Sequence, residues 1–193
     1  INKMERNLVY GLSSTSAAGT GLSGIRTEGG TGTYSNNMIA LGEGVSVLAT
    51  INGFIETGGI NNFWNNSVYI GGAPNAGAAN SFGLVSTVSS GARSIRNNIF
   101  FNARSNSGTA TGAQYSISLA NANDLTIDNN LYHATGTGNI YGRFGGADVA
   151  DLDAWKSATS QDAASISGDP LFKDPAAATP NLHIDSNQVS IID

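Results

Sequence analysis

A chain of 193 residues with a formal net charge of −5 is one domain with ample material for a core. The acidic balance and the lack of any Lys/Arg cluster argue against nucleic acid and an anionic membrane surface, and no apolar run approaches the roughly 18 residues of a membrane-spanning helix, so no membrane insertion is expected. There is no cysteine, hence no disulfide and no thiolate metal site; with charged residues at only 12%, Gly, Asn, Ser and Thr fill the surface, as suits the neutral turns of an extracellular protein.

In chain order, ERNLVY (5–10) is a short strand, a turn and a second strand. A small-residue loop (13–20) leads to a first-face strand at 22–27 and then to TYSNNMI (33–39). The same sequence of parts follows three more times. Strands at 53–57, 82–88 and 115–120 precede NFWNNSVYI (62–70), SIRNNIFFN (94–102) and TIDNNLYH (126–133). All are short, rich in Ile, Val, Phe, Tyr and Thr, and bounded by Gly, Asn and Ser, which is the signature of strands. NIYGRF (139–144) is a last first-face strand. The period then changes: Val149, Leu152 and Trp155 recur at helical spacing, with Asp148 or Asp151 able to cap the helix. Trp155 is expected on the open C-terminal end of the core, Leu171 and Phe172 in apolar gaps, and closing strands at 181–184 and 189–192.

The last Asn of each corner falls at Asn7, Asn37, Asn66, Asn98 and Asn130, at intervals of 30, 29, 32 and 32 residues. A period in that range means stacked units that bury a common core none could bury alone. Asn suits a sharp corner because it tolerates positive φ. Corners stacked at the strand spacing of about 4.8 Å let side-chain amides bond along the stack. The expectation is an Asn ladder through Asn37, Asn66, Asn98 and Asn130.

IRNNIFFN and IDNNLYH resemble the strand–Asn–strand corner of the right-handed parallel β-helix superfamily, the pectate-lyase-like solenoids. The stretch LDAWKSATSQDAASISGDPLFKD (152–174) is similar to a segment that closes many bacterial surface β-helix proteins. The resemblance covers most of the chain. It implies an all-β, right-handed parallel β-helix of about five to six coils (1–147), ended by a short capping helix and closing segment of the same domain (148–193). It also implies a bacterial cell-surface or secreted location. The chain starts already inside a coil and stops abruptly at SIID, so further domains of a larger protein are expected at both ends.

Candidate sites come from registering the coils on the Asn pair. The file Tyr34, Phe63, Ile95, Ile127 is apolar and expected inward; the next file, Ser35, Trp64, Arg96, Asp128, is expected outward. Trp64, Arg96 and Asp128 would form a carbohydrate platform, the indole stacking on a sugar ring while the charged groups bond hydroxyls or a carboxylate. The plainer alternative is a surface Arg96–Asp128 ion pair, worth about 0–1 kcal/mol. Lyases of the superfamily use carboxylate-bound Ca²⁺ and a basic residue, but the coil acids here are scattered. Glu28 and Glu56 are the one pair to nominate for a hydrolase, which needs two facing carboxylates. His133 extends the file Tyr10, Ala40, Tyr69, Phe101 and is expected to stack there. The reading is a non-catalytic domain in adhesion, stalk or glycan contact without a cofactor. The alternative is a fragment of a polysaccharide lyase or glycoside hydrolase, through which alone Ca²⁺ would enter.

Overall fold

Each repeat closes one coil of a parallel β-solenoid, and the coils stack strand on strand. A computed structural model of the chain describes residues 2–15, 19–46 and 48–187; the closing strand expected at 189–192 lies outside them. One sheet runs through Asn2–Glu5, Thr20–Ser35, Ala49–Trp64, Ser81–Ser86, Gln114–Leu119 and Asn139–Phe144. Arg93–Arg96 and Leu125–Asp128 extend it beside the second half of Ala49–Trp64. The other sheet stacks Leu8–Tyr10, Met38–Leu41, Ser67–Ile70, Ile99–Asn102, Leu131–Ala134 and Ile166–Ser167, all parallel. About four turns are closed, not the five to six expected. The difference arises because Asn2–Glu5 and Leu8–Tyr10 frame a corner only, and the last coil turns back as an antiparallel hairpin, Asn139–Phe144 with Ala147–Val149.

The Asn pair divides its labour. The first Asn of each pair takes the left-handed conformation, with φ of 55° at Asn36 and Asn65 and 57° at Asn97 and Asn129. That turns the chain sharply and swings the second Asn inward. Inside the first-face strands glycine is required for a different reason, the close approach of the next coil. At Gly24 and Gly53 a Cβ would lie 2.8 and 2.4 Å from the carbonyl oxygen of Gly53 and Gly83 in the next coil. Those two positions leave no room for a side chain, whereas Ser116, opposite Gly83 in the following coil, carries a buried one.

Inside, Tyr34, Phe63, Ile95 and Ile127 stack in register and join the core, as alternation requires. Ile39, Val68, Phe100 and Tyr132 face them from the second sheet. The helix Leu152–Thr159 is capped by Asp151, whose side chain accepts from the Ala154 N–H, while Asp148 instead accepts from the Tyr115 hydroxyl. The helix drops Trp155, fully buried, onto Tyr132, Tyr141 and Phe144 at the end of the core. The tail then folds back as a hairpin, Phe172–Asp174 with Asn181–Ile184. Phe172 and Leu182 fill no gap in the solenoid interior; they cover the outward file Ala40, Tyr69 and Phe101. That file is apolar and would otherwise lie in water. His133 completes it, 4.8 Å from the Phe101 ring, and burial lowers its pKa.

Candidate functional site

The outward file next to the Asn corner is built by strand pairing. Ser35 lies beside Trp64, Trp64 beside Arg96, and Arg96 beside Asp128, one coil apart each. Both neighbours of each central strand are hydrogen-bonded to it, so the backbone under Trp64 and Arg96 is fixed. The Trp64 side chain is held at one edge, where Nε1–H donates to Ser94 Oγ at 3.0 Å. The residue remains 37% exposed. Arg96 is exposed, and its guanidinium makes no hydrogen bond or ion pair with the described residues.

Asp128 stands differently from the expectation. Its Oδ1 accepts the Ala164 N–H at 2.8 Å, because the loop after the helix crosses this end of the file. No Arg96–Asp128 ion pair within 4.0 Å is found among the described residues. The file thus brings the Ser94-anchored Trp64 indole beside an unpartnered Arg96 and gives Asp128 a structural partner.

Beside this file runs a second one that sequence reasoning passed over. The first asparagines of the corners, Asn36, Asn65, Asn97 and Asn129, are all exposed. Their side-chain amides bond to nothing among the described residues. The Asn36 N–H donates to Trp64 O, and the Asn65 N–H to Arg96 O, each at 3.1 Å. The row therefore rides directly on the Trp64–Arg96 file. The signal was in the sequence, as the other half of each Asn pair.

Glu28 and Glu56 do not converge. The regular register pairs Thr27 with Glu56, which already sets Glu28 one position past it, and an irregularity at Thr57 then carries Glu28 on to Gly58. Glu28 is exposed and bonded to Arg26 Nε. Glu56 is fully buried; its Oε2 accepts from Arg93 Nη1 at 2.8 Å and Ser86 Oγ at 2.6 Å, and its Oε1 from Asn61 Nδ2 at 3.1 Å. Arg93 is buried with it and also donates to Val88 O. A second arginine, Arg104, is buried against three backbone carbonyls, those of Gly42, Gly71 and Val45. Burial lowers its pKa to about 10, against the opposing pull of Glu43. Glu43 in turn accepts from the Tyr69 hydroxyl and the Gly72 N–H. Among the described residues no group of three or more His, Asp or Glu is placed to hold a metal ion.

No family model matches the chain, and no curated protein and no solved structure matches it either.

Proposed function

We propose that this chain is a non-catalytic, extracellular β-helix domain of a larger bacterial surface or secreted protein, and that it contacts carbohydrate through Trp64 and Arg96 in an adhesive or stalk-like role. The observation that carries the reading is the juxtaposition of a 37% exposed indole and an unpartnered guanidinium on adjacent, hydrogen-bonded strands. An indole face offers a sugar ring a flat apolar surface, and a guanidinium offers a planar fork of donors to hydroxyls or a carboxylate. Because the strands are fixed by pairing on both sides, binding there orders little backbone, which removes one of the costs of association.

The engagement of the coil carboxylates favours contact over turnover. A glycoside hydrolase needs one carboxyl group as acid and another as base or nucleophile, both facing the same bond. Here Glu56 is saturated inside the wall, Glu28 is tied to Arg26, and Glu43 is held by Tyr69 and Gly72. The placement outside the cell rests on the closing segment, whose resemblance is to bacterial surface β-helices, and on the neutral surface. The test is a glycan-array screen of the parent and of Trp64→Ala and Arg96→Ala, with product analysis on acidic polysaccharides with and without Ca²⁺. Binding without products, lost in the variants, supports the reading; unsaturated or reducing-end products overturn it in favour of a lyase or hydrolase fragment.

A further inference from the structure

We infer that the row Asn36, Asn65, Asn97 and Asn129 is the second half of the contact, and that the ligand is a linear polysaccharide lying along the solenoid axis, about one sugar to a coil. The inference rests on the carbohydrate reading of Trp64 and Arg96 and goes beyond it in ligand shape and in the residues that select it.

Backbone conformation alone does not call for these amides. Glycine satisfies a left-handed corner without strain, and this chain uses it at positive φ at many positions, among them Gly42, Gly59 and Gly72. At the four corners the residue is Asn each time, and none of the four amides is spent on a local bond among the described residues. Each carries two donors and an acceptor into solvent, at a repeat set by the strand spacing of about 4.8 Å. An extended glycan advances by a comparable distance at each sugar, so each successive ring comes within reach of a successive amide, which as both donor and acceptor can bond whichever hydroxyl the ring presents.

The direction follows from what surrounds the row. Across the axis, the next outward file on the far side of the corner is Met38, Ser67 and Ile99, which is mostly apolar. Beyond it the tail hairpin covers Tyr69 and Phe101. Along the axis, polar donors continue through four coils with Trp64 and Arg96 beside them. The run is bounded at one end by the loop that reaches Asp128 through Ala164, and at the other by Arg6 in place of Asn. Four rungs correspond to a ligand of about four sugars.

The test uses cello-oligosaccharides and oligogalacturonides from disaccharide to hexasaccharide, titrated by calorimetry and by fluorescence. Trp64 is the exposed one of the two tryptophans and Trp155 the buried one, so the ligand-sensitive signal is assigned by Trp64→Phe. Asn65→Gly with Asn97→Gly removes two amides while keeping the left-handed corner; Asn65→Asp with Asn97→Asp, which keeps side-chain shape, guards against a folding effect of glycine. Affinity is expected to rise with length up to about four sugars. The double glycine variant is expected to lose about tenfold on the hexasaccharide, the worth of two hydrogen bonds, and less on a disaccharide, which spans only two of the four rungs. Length-independent affinity, or a double variant equal to the parent while Trp64→Ala abolishes binding, overturns the axial arrangement and leaves carbohydrate contact standing. Absence of binding to either series at every length overturns both.

Discussion

The side-chain amide of Asn130 donates to Oδ1 of Asp162 at 3.3 Å, so the ladder that starts at Asn7 ends on a carboxylate. Each earlier rung donates from Nδ2 to the Oδ1 of the next: Asn7 to Asn37, Asn37 to Asn66, Asn66 to Asn98, and Asn98 to Asn130. The chain of amides is one-directional and needs a terminus that only accepts. Asp162 supplies it, and also accepts from Trp155 Nε1 at 2.7 Å, Tyr132 OH at 3.0 Å and the Ser165 hydroxyl. Asp162→Asn would turn an NH₂ group toward donors. The expected loss is about 3 kcal/mol, the scale of a buried charged acceptor removed, read by equilibrium urea unfolding. A midpoint equal to the parent's would mean that the carboxylate is incidental.

Neighbouring asparagines should behave oppositely. Asn98 accepts both the backbone and side-chain N–H of Asn66, and donates to Asn130 Oδ1 and Phe63 O. Asn98→Ala leaves these buried groups unpaired and is expected to cost about 2–4 kcal/mol. Asn97→Gly touches no such bond and keeps the left-handed corner, so a change within about 0.5 kcal/mol is expected. Denaturant midpoints of the two single variants make the comparison; equal losses would contradict the division of labour within the pair.

The repeat period, the inward file from Tyr34 to Ile127 and the seat of Trp155 were legible because each is a spacing: successive coils bring equivalent positions together, and a three-residue rhythm marks the helix. What escaped depends on departures from spacing. Glu28 already falls one position past Glu56 in the regular register, and the irregularity at Thr57 moves it one further, onto Gly58. Asp162 falls 32 residues after Asn130, on the period, but its sequence neighbourhood is that of a helix end. The tail's return over Tyr69 and Phe101 is a long-range choice, driven by an apolar outer face that no local pattern announces. Trp64 and Arg96 were legible as neighbours, whereas the engagement of Asp128 by Ala164 was not, because it comes from a loop in the next turn.

The buried Glu56–Arg93 pair is expected to favour geometry more than stability. Arg93 Nε and Asn61 Oδ1 have no partner there, so the network is incompletely satisfied. Arg93→Met alone strands the carboxylate and is expected to cost about 3–5 kcal/mol. Glu56→Met with Arg93→Met should cost less than that single change. Thermal or urea unfolding of the single and double variants decides it; a double variant worse than Arg93→Met would show that the charges contribute net stability.

Alkaline pH should unfold the protein through its tyrosines. Burial raises the Tyr132 pKa, with Asp162 adding to it; burial and Asp148 push Tyr115 up to about 12. Tyr69 and Tyr141 are raised the same way, mainly by burial. In the unfolded chain these phenols ionise near pH 10. Their contribution is therefore full below about pH 10 and is lost as pH rises toward the folded values, where only the unfolded state has released protons. Tyr34 is raised too, again mainly by burial; Arg104 has the opposite sign, because its lowered pKa makes folding easier above about pH 10, but it is one group against five. Stability measured by denaturant midpoint is expected to fall from pH 10 upward, together with late phenolate absorbance in the folded state. A flat profile to pH 12 would contradict the burial of these hydroxyls.

The central claim is that Trp64 and Arg96 form a carbohydrate contact, and it is tested most directly by titrating array-positive glycans into the parent, Trp64→Ala and Arg96→Ala while assaying the same mixtures for products. The expected result is saturable binding to the parent without turnover, abolished by Trp64→Ala and weakened about tenfold by Arg96→Ala, the scale of a lost charge-assisted hydrogen bond. Equal binding by all three proteins, cleavage products in the parent mixture, or no glycan bound at all would contradict it.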